Sequence, residues 1–290
     1  MRCRGSLRLL PIVVLAAGLL PSTFAEVSRS SGSSSSILFG GSDGADPIDP
    51  LGWYPYRSGQ TVMILNSDGV AREDGRPDIA WHADGAPVVV WAWNLGTDHD
   101  VALAEWDGDE WAEPAFLTSS TSDDLDPRVF LEPDGTVHVA WWTDGTPSAV
   151  FVMTRPAGGG WSAPVQVTGP DESGRRPSVA FFDGAIRVAY ERASDVPGMA
   201  QEIVVATEQP GGGFAYEIVA ATARADRLDA VLHAERGKLC VDWKHDEAWI
   251  GYAECEAGAW TVASPLSWND PSWIGVEMTR RVVRFTVLVN

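Results

Sequence analysis

The chain has 290 residues, 45% hydrophobic and 21% charged, a composition that belongs to a globular protein and excludes wholesale disorder. Forty Asp and Glu against 21 Lys and Arg give a formal charge of −19, which argues against binding nucleic acid or an anionic membrane through a basic face. Fourteen Trp, 29 Gly and 19 Pro supply large packing groups and many turns, a mix that suits short β-strands better than a helical bundle.

Arg2, Arg4 and Arg8 precede the apolar run Leu9–Leu20, and Thr23-Phe24-Ala25 places small residues at positions −3 and −1 of a cut before Glu26. Residues 1–25 therefore read as a secretory signal peptide, too short to span a bilayer, which needs about 20 apolar residues. No later stretch is apolar enough to form a transmembrane segment, so the mature chain is expected to be secreted or periplasmic. Residues 26–52, with the run Ser28–Ser36, read as a Ser-rich flexible tether. Residues 53–290 form the folded domain. Cys3 leaves with the signal, and an exported chain with Cys240 and Cys255 remaining suggests a disulfide between them. Their symmetric placement about a hairpin centred near Glu247-Ala248 favours that bridge over two free thiols.

The folded region repeats itself. Pro77, Pro127 and Pro177 fall 50 residues apart, and Asp84-Gly85, Asp134-Gly135 and Asp183-Gly184 follow in the same order. Trp91, Trp141, Tyr190 and Trp243 mark a third position, and Trp111, Trp161, Phe214 and Trp260 a fourth. Within the first unit, short apolar runs at 78–82, 87–93, 100–106 and 111–117 are separated by turn residues, and no segment keeps a helical period. Asp-Gly is the pair that two-residue hairpins favour, because both positions then take positive φ. Four antiparallel strands repeating at this length make a propeller blade. Units at 127–168, 177–220 and 228–266 repeat the pattern. Gln60–Ser67 resembles part of a further blade whose partners are Ser272–Met278 and Val282–Val289. The expectation is an all-β, five-bladed β-propeller of four-stranded antiparallel blades, the last closed by both termini, monomeric and without exposed sheet edges.

The repeat resembles the sialidase-like, BNR-type propeller family at the level of the blade. Pro77-Asp-Ile-Ala80 with Trp91, Pro127-Arg-Val-Phe130 with Trp141, and Pro177-Ser-Val-Ala180 with Tyr190 carry the likeness, over about residues 77–268. Gly108, Gly158 and Gly211 match the glycine of the family's Ser-x-Asp-x-Gly-x-x-Trp box, but Trp106, Pro156 and Gln209 stand at its aspartate. The family's Arg-Ile-Pro is only echoed at Arg76-Pro77, Arg176-Pro177 and Arg227-Leu228. Its nucleophilic Tyr and partner Glu must converge, whereas Tyr190 and Glu191 are adjacent on a strand and point to opposite faces. The resemblance implies the fold and leaves the activity open.

Loops leading into the first strand of each unit, and those joining its second and third strands, gather at one end. Arg76, Arg176 and Arg227 share a blade position there, with Asp126 at the same position in the second unit. Converging guanidiniums could clamp a carboxylate or sulfate; alternatively, a residue recurring at a repeat position serves the repeat. Trp142 and His245 lie at the same end, so the candidate ligand-binding set is Arg76, Asp126, Trp142, Arg176, Arg227 and His245. Asp107-Gly-Asp-Glu110 lacks a full calcium loop, and the five histidines lack zinc spacing, so neither a metal nor a cofactor is expected. The sequence is read as an exported, non-catalytic recognition propeller for a glycan or another surface polymer. A sialidase-like glycoside hydrolase is the first alternative, and a protein-interaction propeller the second.

Overall fold

The computed structural model describes residues 24–29, 35–41, 61–64, 75–223, 228–235, 237–244 and 249–267, the first three segments by their backbone alone. Strands β1 (Phe24–Arg29), β2 (Ser35–Gly41) and β3 (Thr61–Ile64) form one antiparallel sheet in that order. From residue 75 the strands form four sheets, each of four consecutive strands. Blade one holds β4–β7 (Gly75–Trp81, Pro87–Asn94, His99–Glu105, Ala115–Phe116) and blade two β8–β11 (Asp124–Leu131, Val137–Thr143, Ala149–Arg155, Val165–Gln166). Blade three holds β12–β15 (Arg175–Phe182, Ala185–Ala193, Gln201–Glu208, Phe214–Thr222) and blade four β16–β19 (Val231–Glu235, Lys238–Lys244, Trp249–Glu256, Ala259–Ser267).

The four-stranded antiparallel blade read from the repeat is therefore present, four times over among the described residues. The partners expected for a fifth blade, 272–278 and 282–289, lie outside the described residues. Within the segment expected to join them, β3 pairs along one edge with β2. Part of the stretch read as a tether is thus paired strand. Inside the serines, Ile37-Leu38-Phe39 is a short run of strand-favouring residues that composition alone passes over.

Alternation along the strands divides the core into three layers between blades. Val88 and Val90 of blade one meet Val137, Val139 and Trp141 of blade two. Ala140 and Trp142, one residue out of phase, face the other way and meet Val188 and Tyr190 of blade three. Ala189 of blade three in turn meets Val241 and Trp243 of blade four. The aromatic landmarks of units two to four pack toward the preceding blade, and Trp91, Trp141, Tyr190 and Trp243 are all buried. They are core, as their recurrence indicated.

The proline landmark has a backbone cause. The first two strands lose register between Gly75 and Asp78, between Leu125 and Arg128, and between Arg175 and Ser178. Pro77, Pro127 and Pro177 each sit inside such a bulge, where the missing N–H costs no ladder hydrogen bond. Just past the bulge, the first strands are stitched together. Asp78 Oδ2 accepts the Val129 amide at 3.0 Å, and Ser178 Oγ accepts the Leu232 amide at 2.9 Å. The Asp-Gly landmark divides. Asp183-Gly184 has positive φ at both residues (51° and 74°), as a two-residue hairpin requires. Asp84 and Asp134 instead sit in longer turns, where their carboxylates accept the amides of Ala86 and Thr136 and only the glycine is left-handed.

The disulfide expectation is corrected. Both cysteines are free thiols. Cys240 stands opposite Glu254 and Cys255 opposite Leu239, so the two side chains leave opposite faces of the sheet. The pair before the turn is Lys244 with Ile250, an odd five-residue spacing that shifts the register by one and flips the face. Cys240 Sγ is buried 3.3 Å from the Tyr252 hydroxyl, while Cys255 packs against the core layer between blades three and four. Alkylation of denatured, unreduced protein should accordingly add a group at both Cys240 and Cys255, read by intact mass. A product carrying neither adduct would restore the bridge.

Candidate functional site

The bulges determine what gathers where the blades converge. Asp126, Arg176 and Asp229 all hold left-handed backbone, with φ of 48°, 52° and 48°. This conformation is unfavourable for residues with a Cβ and persists only where surroundings impose it. Together with Arg76 they form a set of equivalent positions, one per blade, each three residues before an apolar residue of the first strand (half-buried Ile79 and buried Val129, Val179 and Leu232). The fourth member is Asp229, where the sequence had suggested Arg227. Unit four lacks the proline that fixes the alignment of the other three. Arg227 and His245 lie outside the described residues.

These positions neutralise one another. Arg76 Nε reaches Asp126 Oδ1 at 2.9 Å, and its Nη1 reaches Asp229 Oδ1 at 2.8 Å. One guanidinium of blade one thus ties to blades two and four, which places it where the blades meet. The other oxygen of Asp126 accepts the Trp142 indole N–H at 2.9 Å. Arg176 Nη1 donates to Glu191 Oε2 at 2.8 Å, while Glu191 Oε1 accepts the amides of Leu228 and Asp229 at 3.2 and 2.6 Å. Glu191 is 2% exposed. Burial raises its proton affinity above the usual carboxylate range; Arg176 and the Leu228 amide oppose that rise.

Tyr190 and Glu191 do diverge, as their adjacency requires. The Tyr190 hydroxyl donates to Glu172 Oε1 at 2.8 Å, and Arg192 bridges Glu172 and Glu202 at 2.5 and 2.9 Å. Burial and the neighbouring Glu172 push the phenol further from ionisation. With Tyr190 fully buried, a substrate carbon has no approach to it. Asp124 is also internal, accepting from the Trp141 indole at 3.1 Å and the Thr143 hydroxyl at 2.6 Å, and burial raises its proton affinity.

Outside this set lies a more open group. Trp142, 7% exposed, packs in the layer between blades two and three, and the Arg175 guanidinium lies over its ring at 5.2 Å. Arg175 and Asp144 are each 51% exposed and stand 3.9 Å apart. The Arg175 Nε meets Ser148 Oγ at 3.4 Å. Sequence reading passed over Arg175, which does not recur between units, and over Asp229. The apolar residue three positions on would have revealed the latter. At the far end of blade one, the Asp107 carboxylate accepts the amides of Asp109 and Glu110, so this acid shapes a turn and is held below its ordinary pKa by those bonds. Among the described residues, no three His, Cys, Asp or Glu are grouped to hold a metal ion.

No helix among the described residues is long and apolar enough to cross a membrane. No family model matches the sequence, and no curated protein does. Solved structures do match. A thermostable family-43 glycoside hydrolase aligns over 87% of this chain and 97% of its own, at 12% identity and a TM-score of 0.52. A protein of unknown function from Dyadobacter fermentans aligns over 68% and 69%, at 13% identity and 0.52. The intramolecular trans-sialidase of Ruminococcus gnavus aligns over 69% and 71%, at 8% identity and 0.51. At such identities the likeness is one of fold: the chain is an all-β protein of four-stranded antiparallel blades, similar to the propellers of glycoside hydrolases and sialidases.

Proposed function

We propose that the protein is an exported recognition propeller that binds carbohydrate at the end carrying Arg76, Asp126, Arg176 and Asp229, without turning its ligand over. The observation that carries this reading is that the charged groups there pair with one another. Arg76 is spent on two carboxylates, and Glu191 on Arg176 and two amides. Glycoside hydrolysis needs a carboxylic acid and a carboxylate about 5–9 Å apart, both facing a sugar. Here the acids serve as anchors for the blades. The non-recurring loops at 94–99, 143–147 and 193–199 lie at this end, and variable loops on a rigid scaffold are where recognition is built. Solved propellers of similar fold bear the names of carbohydrate-processing enzymes, which supports a sugar as the ligand class.

A second reading, a glycoside hydrolase, draws on one feature: Glu191, with raised proton affinity, sits on the same network as Asp126 and Asp229. The two readings separate on one protein sample. Binding to a glycan array together with no turnover of a panel of chromogenic glycosides and sialosides is the expected outcome. Sustained hydrolysis that disappears in Glu191→Gln would replace recognition by catalysis. Capture of proteins alone, with no glycan bound, would instead favour a protein-interaction propeller.

A further inference from the structure

We propose that Arg175, stacked on Trp142 beside Asp144, is the residue that takes the carboxylate of an acidic sugar, making a uronic-acid-containing glycan the preferred ligand class. The inference rests on the recognition reading above and moves its anionic contact away from the recurring arginines. Arg76, Arg176 and Arg192 all meet carboxylates at 2.5–2.9 Å, leaving each guanidinium engaged. Arg175 is different. Its nearest carboxylate, Asp144, is 3.9 Å away, and both side chains are half exposed, a geometry that contributes little by itself.

Yet the guanidinium is not loose. One face lies on the Trp142 ring, and that indole is fixed by donating to Asp126, which Arg76 holds in turn. Stacking restrains the plane; Nε meets Ser148 Oγ and Nη2 faces Asp144 only at 3.9 Å, so the terminal Nη1–Nη2 edge is still open to a carboxylate, which a guanidinium fork matches in bidentate fashion. An exposed contact with an aromatic face is weak, enough to bias orientation without locking the side chain. Asp144 then sets the class of anion. A sugar carrying one carboxylate and neighbouring hydroxyls can give the acid to Arg175 and donate an O–H to Asp144. A densely sulfated polymer would bring several negative charges against Asp144 with no proton to offer.

The test measures, by isothermal titration calorimetry on the full-length protein, binding of trigalacturonate, of a neutral galactose trisaccharide and of dextran sulfate. The expected result is that wild type prefers trigalacturonate. Arg175→Met should weaken that binding by about tenfold, leaving the neutral sugar and the melting temperature unchanged. Arg175→Lys should recover part of the loss, since lysine restores the charge without the planar fork. Trigalacturonate bound equally by wild type and Arg175→Met overturns the assignment, as does a preference for dextran sulfate. If wild type binds only neutral glycans, the Arg175 assignment fails while the recognition reading stands. If no glycan on an array is bound, both fail.

Discussion

Gly251→Ala is expected to lower stability by about 3 kcal/mol, a fall in melting temperature of roughly 6–12 °C for a chain of this size. Gly251 stands directly opposite Trp243 across β17 and β18. A methyl group built there would lie 1.9–2.3 Å from Cε2, Nε1 and Cζ2 of the indole, so the ring rests on the glycine itself. The indole has little room to retreat, because Trp243 is buried in the layer between blades three and four with Ala189, Leu239 and Val241. Other units solve the same contact differently. Trp91 faces Ala102, Trp141 faces Phe151, and Tyr190 faces Val204, each with room for a side chain. The effect should therefore be local to blade four. Trp243→Leu combined with Gly251→Ala should regain part of the loss, since the shorter side chain vacates the space. Thermal unfolding followed by circular dichroism reads both variants, and an unchanged melting temperature in Gly251→Ala would refute the packing argument.

Arg176→Met should cost about 2–3 kcal/mol at neutral pH, somewhat below the figure for a fully buried partner because Arg176 remains partly exposed. The loss arises from Glu191, which would keep two amide donors but no counter-charge in a buried position. The sign of the pH dependence follows. Burial already raises the folded-state pKa of Glu191, and removing Arg176 raises it further. At neutral pH the unfolded chain has an ionised Glu191, so the folded variant must either bury an unpaired charge or take up a proton. As pH falls through the raised folded-state pKa values, the carboxyl becomes neutral in both proteins and the guanidinium matters less. The difference in stability between wild type and Arg176→Met should thus be full at pH 7 and shrink toward pH 4. Adding Glu191→Gln to Arg176→Met should flatten that dependence. Denaturant titrations at a series of pH values measure it. A stability difference that is small and constant with pH, alongside lost glycan binding, would move Arg176 from the scaffold to the ligand.

The sequence by itself determined the repeating blade. Fifty-residue spacing of Pro77, Pro127 and Pro177, and of the aromatic landmarks, is legible because every blade must bury the same inner strands against the same neighbours. Recurrence alone then identified Trp91, Trp141, Tyr190 and Trp243 as core. Tertiary structure decided what depends on register and on groups far apart in the chain. A one-residue shift across the β17–β18 turn separated Cys240 from Cys255, since alternation reverses the face with every residue. Local spacing could not show that Arg76 meets Asp229, 153 residues away. The pairing of the N-terminal strands was equally hidden, because a short strand takes whichever open edge the fold brings to it. Recurrence drew attention to Arg76 and Arg176 and away from the solitary Arg175. Only the positions of Asp126, Glu191 and Asp229 distinguish a guanidinium already neutralised from one still open to a ligand.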